Sequence, residues 1–416
     1  MKAQDSVKNY PSALREMTNF SVRGIKKICK DVGPRPAGSE QEHEAQKLMA
    51  AELDGACDKV EIEPFDVHPG AFLGWILTDG IMMIAAIVLF FFGMSAIALA
   101  LCALSLIFAI VEFLLYKKLL DPFFPKKTSH NVVAVRKPKG EVKRRIFFNG
   151  HPDAAWEWPV NYKLGGVGFE GHAVICGIGA VYYLVVSIIL VAKNGLSVPP
   201  FDAGDTLGLL RLIGLVFVPF LIGLYWMWNE NRVVDGANDN LSGCYMGIAI
   251  LKALKDEGIE LENTEIGVIL TGSEEAGLRG AKAWCETHKG EFDDVPTFIF
   301  SYDTIHDPKY LMTNYRDLNG TVKADKDVSD LFMEAAKELD IACKKGWVPP
   351  LGGATDSAAF AQAGFRATGV TGLNHKLEDY YHTRRDTYDN MNEEGLANCF
   401  AISAKALEMF DNGAKQ

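Results

Sequence analysis

The chain has 416 residues, with 42 Lys and Arg against 53 Asp and Glu, a formal net charge of −11. That is enough for one large domain or two to three ordinary ones, and the acidic balance argues against a nucleic-acid binder, which needs cations to neutralise phosphates. At 49% hydrophobic and 23% charged, the averages exclude disorder, collagen and coiled coil, but an average also hides clumped apolar residues.

Residues 1–70 are polar and helix-forming, with no basic stretch leading into an apolar run, so no signal peptide is expected. Ser39–Leu53 reads as a helix capped by Ser39, with Ser39-Glu40-Gln41-Glu42 in the capping-box arrangement. Lys59–Phe65 reads as a strand. Phe72–Tyr116 then carries only two charges, Asp79 and Glu112, and Gly80–Val111 carries none. One helix of that length would far exceed a hydrocarbon core of about 30 Å, so two spans are predicted, turning near Phe92-Gly93-Met94-Ser95. Strands are predicted at Asn131–Arg136 and Arg145–Asn149. A second pair of spans follows, Ala173–Ala192 and Leu212–Asn229, with Arg211 at the mouth of the latter and the polar loop Lys193–Asp205 between them. Tyr182-Tyr183 and Tyr225-Trp226-Met227-Trp228 resemble interfacial anchors. The remainder alternates: helix Ser242–Lys255, strand Glu265–Leu270, helix Ala276–His288, strand Pro296–Ser301, then helices Asp330–Leu339 and Glu393–Phe410. The expected fold is α/β, a mixed, mostly parallel sheet covered by helices on both faces, plus about four transmembrane helices in two inserted hairpins. The expected boundaries are 1–71, 117–171 and 230–416 for the polar domain, with hairpins at 72–116 and 172–229.

Lys117, Lys118, Lys126 and Lys127 follow the first hairpin and Arg232 follows the second, so positive-inside bias places the polar bulk in the cytoplasm. Eight cysteines without a CxxC pair agree with a reducing compartment.

Chemistry-bearing residues gather after the predicted strands. Arg145–Asn149 runs into Gly150-His151-Pro152-Asp153, Glu265–Leu270 into Thr271-Gly-Ser-Glu274-Glu275, and Pro296–Ser301 into Tyr302-Asp303. Asp235-Gly-Ala-Asn-Asp239-Asn-Leu-Ser-Gly243 precedes a helix, and Tyr380-Tyr-His382-Thr-Arg-Arg-Asp386-Thr lies near the C-terminus. Sites in open α/β sheets form outside the carboxyl ends of strands. Two histidines and several carboxylates, with no cysteine among them, suit zinc or a similar divalent ion. Singly, each has a plainer reading: a chance tripeptide, a solvated helix start, a turn former. The ordered set points to a metal centre.

Taken together these stretches resemble the M28 family of metallopeptidases, the co-catalytic zinc aminopeptidases that also include glutaminyl cyclase relatives. The resemblance covers Ser21–Gly70, Ser129–Asp153 and Asn231–Asp411, and is strongest in Gly236-Ala-Asn-Asp-Asn-Leu-Ser-Gly243, Ser273-Glu-Glu-Ala-Gly277 and His382-Thr-Arg-Arg-Asp-Thr387. M20 peptidases share the His-x-Asp and Glu-Glu logic but carry a soluble lid domain for which this chain has no segment. The resemblance implies Zn2+, two ions per chain. Asp239 would bridge them, His151 and Asp303 would complete one ion's ligands, and Glu275 and His382 the other's. Glu274 would be the general base and Asp153 the acceptor that orients the His151 imidazole. It also implies a cis bond after Asp239. Pro152 departs from the usual pattern by stiffening the turn, and Ala281 stands where the family often has Ser. Asp356 reads as a loop-stabilising acceptor, Asp307 is the nearest rival to Asp303, and His130, His172, His306 and His375 read as surface or packing residues.

The expected function is a membrane-anchored zinc exopeptidase, an aminopeptidase acting on peptides or aminoacyl conjugates, with the lipid bilayer as its other partner and no nucleic acid. The alternatives are a glutaminyl-cyclase-like acyltransferase, or a membrane scaffold or receptor on a peptidase fold. Cyclase relatives typically use one zinc, so the full ligand set argues against a cyclase. The run Ala154-Ala-Trp156-Glu157-Trp158-Pro159 fits either a pocket wall or an interfacial belt.

Overall fold

The computed structural model describes residues 11–196, 201–374 and 378–415. His375, part of the loop between the second pair of spans and the first ten residues of the polar leader lie outside them. The chain forms two compact units, one of residues 1–69, 126–157 and 230–416, the other of 70–125 and 158–229. The second unit thus runs wider than the apolar segments alone, taking in 117–125 and 158–171.

The first unit is built on eight strands: β1 Lys59–Val67, β2 Lys127–Arg136, β3 Arg144–Gly150, β4 Thr264–Leu270, β5 Thr297–Ile305, β6 Leu311–Asn314, β7 Lys344–Gly346 and β8 Arg366–Gly372, in the order β1-β2-β4-β3-β5-β8-β6-β7. The four central strands, β4, β3, β5 and β8, are mutually parallel, while β1 and β2 extend one edge antiparallel. Unbroken apolar runs such as Ile146-Phe147-Phe148 and Phe298-Ile299-Phe300 are what a sheet buried on both faces requires. Because successive side chains alternate, Phe148 stacks on Phe300 at 6.2 Å while Phe147 meets the edge of Trp284 at 6.1 Å on the opposite face. One face packs against α1 Ser12–Asp31, α2 Glu40–Asp54, α3 Ser242–Asp256, α5 Lys326–Glu338 and α7 Glu393–Asp411. The other carries α4 Arg279–Thr287 and α6 Asp356–Gln362, joined through Trp284 and Phe360.

Three departures from the sequence reading matter for the site. β5 does not stop at Ser301 but runs to Ile305, so Asp303 is a strand residue paired opposite Thr371. α4 begins at Arg279 rather than Ala276, because Leu278 takes a left-handed φ of 62° and the turn Glu274–Gly277 precedes it. β6, β7, β8 and α6 carry no prediction, being short or lacking a clear period.

The second unit contains four helices long and apolar enough to cross a membrane: Ala71–Phe91, Ser95–Leu114, Pro159–Asn194 and Thr206–Trp226. The third starts well before Ala173 and is broken at Gly165, where φ is 70°. Only 22–44% of the most apolar window of each helix is buried, and the outward residues include Ile81, Val88, Ile107, Ile178, Val185 and Ile213. An apolar exterior of this extent is what lipid rather than water would cover. Three ionisable groups within these helices turn inward: Asp79, Glu112 and Arg211 are all buried, and a Glu112 carboxylate oxygen accepts from the Leu119 and Leu120 amides at 2.9 and 3.1 Å. Arg211, expected at a helix mouth, lies inside Thr206–Gly214 with its guanidinium 5.3 Å from the Phe90 ring centroid.

Candidate metal centre

Every carboxylate and imidazole singled out after the predicted strands converges at the carboxyl edge of the parallel strands. His151 follows β3, the Glu274-Glu275 turn follows β4, Asp303 sits near the end of β5, and Asp239 lies in the loop that opens α3. His382 is brought in from the C-terminal loop. The side chains fall into two trios, His151–Glu274–Asp303 and Asp239–Glu275–His382; within each, one donor atom per residue lies within 4.8 Å of the others. Asp239 spans the two. Its Oδ1 is 3.5 Å from His151 Nε2, and its Oδ2 is 2.9 Å from His382 Nε2. Glu275 Oε1 lies 3.3 Å from His382 Nε2, and Glu274 Oε2 lies 3.7 Å from His151 Nε2. Asp307, the rival to Asp303, is instead the cap of the turn Pro308–Tyr310 and accepts from Lys309 N at 2.8 Å.

The local backbone explains how adjacent residues do different things. Ser273, Thr304 and His382 all take positive φ, 55°, 53° and 52°, each at or beside a clustered side chain. Non-glycine residues hold that conformation only where the surroundings over-determine it, and such positions collect at functional sites. The Asp239–Asn240 bond is cis. Asp153 does more than orient an imidazole. Besides lying 3.3 Å from His151 Nδ1, its two oxygens accept from the Glu274 and Glu275 amides at 3.1 and 3.0 Å, so one buried carboxylate fixes the His151 loop to the Glu274-Glu275 turn.

Three further residues hold the loops, and the sequence reading gave none of them a role at the site. Asp386, fully buried, accepts from the Asn238 amide and side chain at 2.8 Å each and from the Asp239 amide at 3.1 Å. Glu42 fits the capping box in pattern, and Ser39 does accept from its amide at 3.1 Å. Its carboxylate, however, accepts from Gly38 N at 2.8 Å, Ser129 Oγ at 2.8 Å and Ser273 N at 2.5 Å, which ties α2 to the Glu274 turn. Arg35, fully buried, donates to the carbonyls of Pro152 at 2.6 Å and Gly236 at 3.1 Å, clamping the His151 loop to the Asp239 loop. An arginine between prolines, Pro34-Arg35-Pro36, was the one local signal of it. Asp356 accepts from Thr271 Oγ1, as its acceptor reading implies. His306 Nδ1 donates to Asn238 Oδ1 at 2.9 Å and the ring packs on Tyr380, a packing histidine behind the site. In the aromatic run, Glu157 is buried and grips Arg384 through two contacts of 2.5 and 2.8 Å, while Trp158 stacks on Phe169 at 4.2 Å.

The charges test whether cations fit here. Burial and the neighbouring Asp239 charge push Asp303 up to about 8. Burial and adjacent carboxylates push Glu274 well above the usual carboxylate range, and raise Glu275 as well. Burial alone would lower the histidines, yet Glu275 and Asp239 raise His382 to about 10, and Glu274 with its neighbours raises His151 well above its ordinary value. A buried set of nitrogen and oxygen donors under that much mutual repulsion fits divalent cations of the zinc type, which relieve the repulsion and accept both donor kinds.

Residues 224–407 match the model of peptidase family M28. Over this stretch the chain is similar to the M28 peptidases. No curated protein sequence matches it. Solved structures similar to this chain include an aminopeptidase from Aneurinibacillus sp. strain AM-1 (TM-score 0.56, 15% identity, covering 94% of this chain and 93% of that one). A zinc aminopeptidase from Bacillus subtilis is similar at TM-score 0.55 and 13% identity, covering 94% and 95%. A glutaminyl cyclase from Bacteroides thetaiotaomicron is similar at TM-score 0.54 and 12% identity, covering 94% and 96%. At such identities the likeness shows the fold, which is that of the zinc aminopeptidases.

Asp386 gives a prediction for the metal centre. Asp386→Ala frees the Asn238 and Asp239 amides that pin the loop, so zinc affinity is expected to fall roughly 10- to 100-fold, as measured by competition with a chelating dye. Unchanged affinity would show that the loop holds its shape without this carboxylate.

Proposed function

We propose that the protein is a membrane-anchored, zinc-dependent exopeptidase, an aminopeptidase that removes N-terminal residues from peptides or aminoacyl conjugates. The observation that carries this reading is the placement of Asp239 between His151 and His382, with one carboxylate oxygen toward each, and Glu274 beside them. Two zinc ions would be held by His151, Asp303 and Asp239 on one side and by Glu275, His382 and Asp239 on the other. Bound there, they would supply Lewis acidity to water and to the scissile carbonyl. Glu274 takes a proton from the attacking water and delivers it to the leaving amine. Asp153 keeps Glu274 and Glu275 in register through their amides and holds the His151 ring in place.

The test is a peptide library incubated with the purified, zinc-loaded protein. Progressive loss of N-terminal residues, with about two zinc ions per chain, supports the proposal. Cleavage only within peptides, or no cleavage at all, overturns it. The glutaminyl cyclase likeness supports a second reading, cyclisation of N-terminal glutamine, which the same incubation separates by its ammonia and pyroglutamyl products.

Anchoring follows from the second unit. The chain leaves the peptidase unit at residue 70 and returns at 126, then leaves at 158 and returns at 230, with two apolar helices in each excursion. An even number of crossings would return every peptidase segment to one side of the bilayer, and the lysines after the first hairpin support the cytoplasm as that side. The protein is expected to stay in the membrane pellet through a carbonate wash and to require detergent for release; its appearance in the carbonate supernatant would remove the anchor.

A further inference from the structure

Next to Asp303 and Tyr381 the peptidase unit has a recess of about 420 Å³, counting the part open to solvent. Tyr381 stacks on His382 at 4.0 Å, so the recess opens beside both trios of the metal centre. Its walls include Trp347, Val348 and Leu373, which suit an aliphatic stem. Asn314, at the end of β6, also lines it. That side chain is only 1% exposed, and neither its Oδ1 nor its Nδ2 has a hydrogen-bond partner among the described residues. The strand register places no side chain opposite it on either neighbouring strand. Gly369 of β8 and Gly346 of β7 are its partners on either side. A Cβ at Gly369 would stand 3.0 Å from Asn314 Nδ2, and one at Gly346 would stand 3.2 Å from Oδ1. Two glycines therefore flank an amide that a larger residue at either position would crowd.

We propose that Asn314 makes this recess selective for substrates whose seated residue ends in a carboxamide, that is, glutamine or asparagine. The inference rests on the exopeptidase reading and names its substrate class. A buried amide whose donor and acceptor are both idle can pair each of them with a second amide. A leucine or methionine side chain would leave both atoms unpaired, a lysine would use only the acceptor, and a glutamate would use only the donor while facing Asp303. Sites built to hydrogen-bond a substrate group discriminate against analogues lacking it far more sharply than apolar pockets discriminate by size.

Two measurements on the full-length, zinc-loaded protein in detergent test this. The first compares kcat/KM for the p-nitroanilides of glutamine, asparagine, methionine and leucine. Wild type is expected to favour glutamine or asparagine over methionine by roughly 10- to 100-fold. Asn314→Leu is expected to abolish that preference, chiefly through KM, with leucine turnover retained. Asn314→Asp, nearly isosteric, is expected to weaken the carboxamide substrates at least roughly tenfold. The second measurement is calorimetric binding of L-glutaminamide and L-methioninamide to the Glu274→Gln protein, which needs no turnover. Glutaminamide should bind tighter, and Asn314→Leu should remove the difference. If nothing is hydrolysed but this binding pattern holds, the exopeptidase reading falls and the recess assignment stands. Conversion of the glutamine substrate to its pyroglutamyl form would likewise keep the recess and replace the reaction. Methionine equal to or better than glutamine in wild type, or ratios untouched by both variants, overturns the proposal. An asparagine with a structural role alone would shift the melting temperature and leave the substrate ratio unchanged.

Discussion

Glu274→Gln is expected to reduce kcat by roughly 10²- to 10⁴-fold, with KM and zinc content close to wild type. Glutamine keeps the size of the side chain and leaves the Glu274 amide bonded to Asp153, but it cannot take a proton from water. The variant also decides between two roles that the geometry brings close together. Glu274 shares a trio with His151 and Asp303, so it is near enough to serve as a ligand rather than a base. As a ligand, its replacement by the weaker amide oxygen would release zinc together with activity. As a base, it would abolish turnover and leave the metal in place. Zinc by elemental analysis, read beside kcat, separates them. Glu275→Gln is the control: Glu275 lies 3.3 Å from His382 Nε2, and its replacement is expected to lower metal content. Loss of zinc to the same extent in both variants would remove Glu274 from the role of base.

The residues of the centre were legible in the sequence because each stands at a junction that leaves a local trace. His151, Glu274 and Asp303 each follow an apolar run long enough to be read as a strand, and Asp239 precedes a helix start rich in small residues. What was not legible is the scaffolding around them. Glu42 already had a sufficient local explanation as part of a capping box, yet its carboxylate bonds Ser273, 231 residues away. Asp386 reaches Asn238 across 148 residues. A hydrogen bond between distant segments has no period and no spacing, so only the folded chain reveals it. The same limit applies to β6 and β7, four and three residues long, which exist because β8 and one another supply their partners. The extension of β5 through Asp303 has a comparable cause: Thr371 of β8 pairs opposite it and keeps the strand extended beyond the apolar run. The four long apolar helices were the easiest to read, since twenty apolar residues need no tertiary context. Their ends were harder, because the 36-residue helix Pro159–Asn194 begins with a polar turn that hydropathy assigns elsewhere.

Asp239→Asn carries the other large expectation, a fall in activity of roughly a thousandfold or more accompanied by loss of metal. The reason is the division of labour within one carboxylate. Oδ1 faces His151 and Oδ2 faces His382, so each oxygen serves one trio. Asparagine retains an oxygen for one and presents an amide nitrogen, a donor, to the other. Zinc content should therefore drop from about two per chain to one or fewer, and Asp239→Ala should lose both. The same change should be visible in stability. The wild-type centre holds four carboxylates whose mutual repulsion the ions relieve, and a ligand present at 100 times its Kd stabilises the native state by about 2.7 kcal/mol. Chelation should then lower the wild-type melting temperature by several degrees. In Asp239→Asn the chelator should produce about half that shift, and in Asp239→Ala almost none. Full zinc content in Asp239→Asn, with an undiminished response to chelator, would mean that the two trios bind their ions independently, and the bridging role of Asp239 would have to be given up.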